Sequence, residues 1–162
     1  MRWRRAERPE VQVAPGESVL AWAVTTDGTV LAGSRDAVYL AGLRLPWEQV
    51  EAADWDRDKE VFRLSEVGTW GEHRREHAFP IEEPGRFLEL VRERVTASVV
   101  LQRHVPVAGR AGLRVVARRA PRGDAPLSWF FEYDEGVDPD DPAVRAAAEA
   151  ALSAAREEVG GR

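Results

Sequence analysis

Cysteine is absent from all 162 residues, which excludes disulfides, thiolate metal sites and cysteine nucleophiles. Asparagine is absent too, and of 23 basic residues all but Lys59 are arginine. Lysine and asparagine have AT-rich codons, so this usage points to a GC-rich bacterial genome and carries no functional signal. No apolar run approaches the roughly 18–20 residues that a membrane span needs. The start, Arg2-Trp3-Arg4-Arg5, lacks the apolar core of a secretory signal, and cytoplasmic residence is the expectation. Charged residues at 31% and hydrophobic ones at 44% make an ordinary globular balance, which argues against wholesale disorder.

Charge is unevenly distributed behind the net value of −5. Residues 1–16 carry +2, 17–95 carry −6, 96–126 carry +5 and 127–162 carry −6. One basic stretch therefore lies between two acidic ones.

Residues 1–16 are polar, hold Pro9 and Pro15, and read as a flexible leader that docks at most through Trp3. SVLAWAVT (18–25) has the composition of a strand, and Asp27-Gly28 is the strongest hairpin signal in the chain. Residues 29–32 return as its partner. A turn at Ser34-Arg35-Asp36 leads to AVYLA (37–41), which Gly42 ends. Leu43, Leu45 and Pro46 then lead into WEQVEAADWD (47–56). DRDKE (56–60) is a charged hairpin tip and VFRLS (61–65) alternates as a half-buried strand does. After a polar loop over 67–75, HAFPI (77–81) is a short strand that Pro80 assigns to an edge. EPGRFLELVRERV (83–95) is an amphipathic helix, with Glu83 at the N-cap and Pro84 at the first turn. Its apolar stripe is Phe87, Leu88, Val91 and Val95.

A second unit follows. Strands are expected over 98–107, 113–119 and 127–134, and Asp141 and Pro142 open a helix over 143–159. That helix presents Val144, Ala148, Ala151, Leu152, Ala155 and Val159 on one face, and Gly160 closes it.

The order TTDGTVLAGSRDAVYLAGLRLPWEQVEAADWDRDKEVFRL, then HAFPIEEPGRFLELVRERV, resembles the bacterial pleckstrin-homology-like (GRAM-like) domains over residues 17–97. The resemblance implies an antiparallel β-barrel capped by a helix over 17–97; the chain goes on past such a domain, and its residues read as a three-stranded antiparallel sheet with a C-terminal helix over 98–162, an extension packed on the first unit in an α+β chain. It also raises anionic-lipid binding. The first hairpin, however, reads Thr25-Thr26-Asp27-Gly28-Thr29, with an acid where lipid-binding relatives place cations, and the segment is net negative. No membrane partner is expected.

Chemistry-bearing residues are few. His73 and His77 stand four apart beside Glu72 and Glu76, but the order is not that of a zinc peptidase helix, and strand spacing holds such residues about 13 Å apart. Ser98, His104 and Asp138 supply the types of a nucleophilic triad without any local signature of one. Glu48, Glu51, Asp54, Asp56 and Asp58 lack calcium-loop spacing and read as a solvated edge that discourages aggregation. No catalytic residue, metal or cofactor is expected.

Arg103, Arg110, Arg114, Arg118, Arg119 and Arg122, followed by Trp129, Phe130, Phe131 and Tyr133, combine cations with stacking rings. Single-stranded nucleic-acid platforms use that combination. Alternation along a strand puts Arg114 and Arg118 on one face and Arg119 on the other. The reading is a non-enzymatic interaction module, an adaptor or regulator that binds a protein partner or a second copy through Arg103, Arg114, Arg118, Arg119 and Trp129. Single-stranded nucleic-acid binding by the same residues is the alternative.

Overall fold

The computed structural model describes residues 9–67, 75–121 and 125–160. The chain divides into two compact units. The first holds the described residues up to Glu66 together with Arg75–Thr96, and the second is built from Ala97 onward.

The first unit contains two sheets. Strands β1 (Ala21–Val24), β2 (Val30–Gly33), β3 (Ala37–Leu40) and β4 (Leu43–Pro46) form an antiparallel meander in that order. The β1–β2 turn is tied by Asp27, whose carboxylate accepts from the Thr25 hydroxyl and, at 3.2 Å, from the Thr29 amide. Between β3 and β4 only Ala41 and Gly42 intervene, both with positive φ (48° and 89°). That is the two-residue turn whose twist matches the strands, and Gly42 accepts such a backbone without strain. A single 3-10 turn, Trp47–Gln49, then starts the second sheet of β5 (Val50–Asp56), β6 (Val61–Glu66) and β7 (Glu76–Pro80).

Helix α1 (Gly85–Ser98) brings Phe87, Leu88, Leu90 and Val91 to a core shared with both sheets, whose members include Leu31, Val38, Trp47, Val50, Phe62, Leu64 and Ile81. Val95 packs at its margin. Leu90 adds to the stripe expected from sequence. It lies where a Cβ on Gly33 would come to 2.6 Å, so the bare glycine in β2 admits the helix.

The closed barrel expected from the resemblance is not formed: among the described residues the strands make three separate antiparallel sheets, of four, three and three strands. The breaks fall at prolines and turns. Pro46 ends β4, and the turn at Trp47–Gln49 redirects the chain before β5 begins. On the other side the Thr26 amide donates to the Pro80 carbonyl at 2.9 Å, but Pro80 has no N–H to continue a ladder. The two sheets therefore face one core without joining into a cylinder.

The second unit is a three-stranded sheet with spatial order β10-β9-β8, from β8 (Val99–Ala108), β9 (Ala111–Arg118) and β10 (Ser128–Tyr133). Helix α2 (Pro142–Gly160) packs Val144, Ala148 and Ala155 with Leu101, Leu113, Val115 and Ala117. Its start follows the sequence: the Asp141 carboxylate accepts the Ala143 amide at 2.8 Å, and the Asp141 carbonyl accepts that of Arg145. No helix among the described residues is long and apolar enough to cross a membrane.

Two substitutions test these cores. Val91 is fully buried, so Val91→Asp places a carboxylate without a partner in the first core; a loss of more than about 3 kcal/mol is expected, read by denaturant titration. At Gly112 a Cβ would lie 1.9 Å from the Val105 carbonyl oxygen and 2.7 Å from the Pro106 Cα. Backbone cannot yield as a side-chain tip does, so Gly112→Ala is expected to cost at least about 2 kcal/mol in the second unit, with loss of amide protection along β8 and β9 in hydrogen exchange.

Candidate functional site

The register of the second sheet decides which of the expected residues meet. Arg114 pairs with His104 on β8 and with Glu132 on β10, while Arg118 pairs with Val99 and Ser128. Because facing residues share a side of the sheet, Arg114, Arg118, His104, Phe130 and Glu132 lie on one face. Leu113, Val115, Ala117, Trp129, Phe131 and Tyr133 lie on the other, against α2.

Each arginine then has a defined setting. Arg114 Nη1 is 3.4 Å from Glu132 Oε2, and Arg118 Nη2 is 3.7 Å from Glu132 Oε1. Arg118 is only 2% exposed, and its Nη1 reaches the buried Ser98 hydroxyl at 3.5 Å. The Arg119 amide donates to the Ser98 carbonyl at 3.0 Å. Arg103 projects to the α2 side and grips Glu158 with both ends of its guanidinium, Nε at 3.1 Å. A cation there also suits the carboxyl end of the helix. Trp129 is half-buried in the α2 core. The sheet thus brings Arg114 and Arg118 together around Glu132 and places Arg103 and Trp129 on its opposite face; Arg122 lies outside the described residues.

The remaining chemistry-bearing residues are dispersed. His104 Nε2 sits 2.9 Å from Asp134 Oδ2, which also accepts the Gly112 amide at 2.8 Å. The hydrogen bond from His104, and then that from Gly112, hold the Asp134 carboxyl below its usual range. Asp138 instead caps the amide of Asp140, and Ser98 faces Arg118, so the three triad types are not assembled. His77 pairs across to Glu66 at 2.7 Å; Glu72 and His73 lie outside the described residues. Asp56 accepts the amides of Asp58 and Lys59 within its own turn. Among the described residues no group of three or more His, Asp or Glu side chains could hold a metal ion.

Two features of the first unit escaped the sequence. One is a buried polar clasp. The Glu17 side chain is 4% exposed; its carboxylate accepts from the Ser34 hydroxyl at 2.6 Å, the Tyr39 hydroxyl at 3.1 Å and Arg44 Nε at 3.1 Å. The Tyr39 oxygen in turn accepts the Ala14 amide at 2.9 Å. Burial pushes the Glu17 carboxyl up, but the hydrogen bonds from Ser34, Arg44 and Tyr39 outweigh it and leave the group below its ordinary value of 4.5. Above this clasp Val11 and Val13 pack against Val19, Ala32, Ala37 and Tyr39. Sequence separations of 17, 22 and 27 residues leave no local signal of it.

The other is the edge strand β1. Leu20 and Val24 are 51% and 50% exposed, the highest among large apolar side chains of the described residues. A legible sign was present: residues 18–26 contain no charge. No family model, curated protein or solved structure matches the chain.

The clasp predicts an acid dependence. A carboxyl whose folded pKa is depressed contributes stability above its unfolded pKa and loses it as pH falls through the folded value. Glu17→Gln is expected to cost about 1–3 kcal/mol at neutral pH, because Arg44 and Tyr39 lose a charged acceptor. The gap from wild type should close as the pH drops below 4.5, and urea titrations across pH 2.5–7 measure it.

Proposed function

We propose that this chain is a non-enzymatic interaction module, an adaptor or regulator whose binding surface includes the open edge of β1. The observation that carries this reading is the exposure of Leu20 and Val24 at half their surface, on or beside a strand that among the described residues pairs on one side only. Exposed aliphatic side chains beside unpaired strand N–H and C=O groups favour the addition of another strand, in which main-chain hydrogen bonds supply affinity and alternate side chains supply selectivity.

The arginine-rich sheet supports a secondary role. Arg103, Arg114 and Arg118 each have a carboxylate within 4 Å, and such pairs set orientation more than affinity. Arg114, 42% exposed at its side chain, remains within reach of an acidic partner.

Affinity capture from the source cell, with quantitative mass spectrometry, tests the reading on three forms of the full chain. Leu20→Lys/Val24→Lys is expected to reduce the specifically captured proteins by more than about tenfold without changing the melting curve, since both residues are exposed. Arg114→Glu should change capture less and in a salt-sensitive way. Equal capture by the edge variant overturns the proposal. Retardation of a single-stranded oligonucleotide at low salt, abolished by Arg114→Glu, would move the function to nucleic acid.

A further inference from the structure

The four-stranded sheet has two faces. One carries Ala21, Ala23, Leu31, Val38, Leu40 and Leu45 into the core. The other follows from the register: Trp22 pairs with Ala32, Ala32 with Tyr39 and Tyr39 with Arg44, so these four share the side away from that core. Val24, two residues after Trp22, lies on their side. The chain's own residues 9–14 are seated on this second face. Val11 and Val13 pack on Val19, Ala32, Ala37 and Tyr39, and Trp22 packs against the same cluster.

A tight turn brings the segment there. The Glu17 amide donates to the Ala14 carbonyl at 3.0 Å, with Pro15 second in the turn and Gly16 third at φ 81°, which is the pattern of a type II turn. Exposure before the turn alternates as in an extended chain: Glu10 and Gln12 are exposed, Val11 and Val13 half-buried.

The hold on this segment is slight. Residues 9–13 belong to no strand, and among the described residues their main chain makes no hydrogen bond. The nearest anchor is the Ala14 amide, which donates to the Tyr39 hydroxyl. An open groove of about 620 Å³ is lined by residues 9–13 and 17–19, whereas close-packed interiors leave few voids larger than a water molecule. A segment with so few contacts opens at a much lower free energy than the unit that carries it.

Trp22 joins the covered part of the face to its open part, since it packs with the cluster under the segment and shares a side with Val24, which is 50% exposed. We infer that residues 9–14 are an autoinhibitory strap over the apolar surface that continues from β1. This rests on the proposed function and adds the regulation of that surface. With the strap seated, a partner meets the exposed margin alone; with the strap lifted, it also meets Val19, Ala32, Ala37 and Tyr39. The strap shows the chemistry of its replacement: an extended segment of the partner with aliphatic side chains at alternate positions, as in Val11-Gln12-Val13, and a main-chain amide for the Tyr39 hydroxyl. Such a segment binds only open chains, so its apparent affinity falls by the fraction that is open.

A fluorescent peptide of residues 9–17, PEVQVAPGE, added to full-length chain and followed by anisotropy, tests this. Two variants loosen the strap by different means. Val11→Ser/Val13→Ser removes its grip. Gly16→Val puts a β-branched residue at φ 81°, a strained backbone for it, while nothing lies within 4 Å of the new Cβ. Both should bind the peptide at least about tenfold more tightly than wild type and melt near wild type, and a peptide with serine at both valine positions should bind to none of the three. Equal binding of PEVQVAPGE by wild type and both variants, binding by none, or unfolding of both variants would each overturn the inference. Affinity capture with Leu20→Lys/Val24→Lys separates it from the reading on which it rests. Capture indifferent to those lysines, with peptide binding still gated, would overturn the interaction reading at the β1 edge and leave the strap in place.

Discussion

The first unit depends on one buried indole. Trp47 is fully inaccessible and stands in the turn between the two sheets. Its Nε1 donates to the Ser34 carbonyl at 2.9 Å, and its amide donates to the Asp36 carbonyl at 3.2 Å. The ring lies against Gly33, where a Cβ would come to 3.2 Å from the indole edge. Leu90 of α1 presses on the same glycine. A large apolar surface with a satisfied polar handle is thereby fixed where two sheets and a helix meet. Loss of the ring would open a cavity bounded by all three and orphan a carbonyl at once, which is among the costliest changes a core can undergo.

Ser34 links that indole to the clasp around Glu17. The serine carbonyl serves Trp47, and its hydroxyl serves Glu17 and the Asp36–Ala37 turn. A buried carboxylate is tolerable when its oxygens are fully occupied, and here three donors occupy them. The second unit uses the same logic around Glu132, which faces Arg114 and the nearly inaccessible Arg118. In both units charge is kept inside by cross-strand partners and serves to fix register.

Much of this was legible because it is local. The α2 start at Asp141-Pro142, the Asp27-Gly28 hairpin and the alternation of β6 follow from short-range rules, and they stand where those rules put them. Sheet closure was not legible, because it depends on whether the final residues of β4 and β7 can extend a ladder, and Pro46 and Pro80 cannot. Nor was the burial of Arg118: an arginine in a basic run reads as surface until register sets Glu132 and Ser98 beside it. Glu17, Tyr39 and Arg44 meet only after β2, β3 and β4 have been stacked, so no window of sequence contains the clasp. Strand β1 was recognised as a strand, yet its place at an edge is a property of the whole sheet.

Every strand among the described residues pairs with a neighbour in the chain, from β1-β2-β3-β4 through β5-β6-β7 to β8-β9-β10. Contacts of short sequence separation close at small entropic cost, which favours quick folding for a chain so rich in strand. During synthesis at about 5–20 residues per second, each hairpin can complete before the next strand has left the ribosome. Of the described strands β1 comes before the others, and it waits only for β2. On a polysome, where nascent copies stand side by side, so short a wait leaves each strand little time to meet a neighbouring chain.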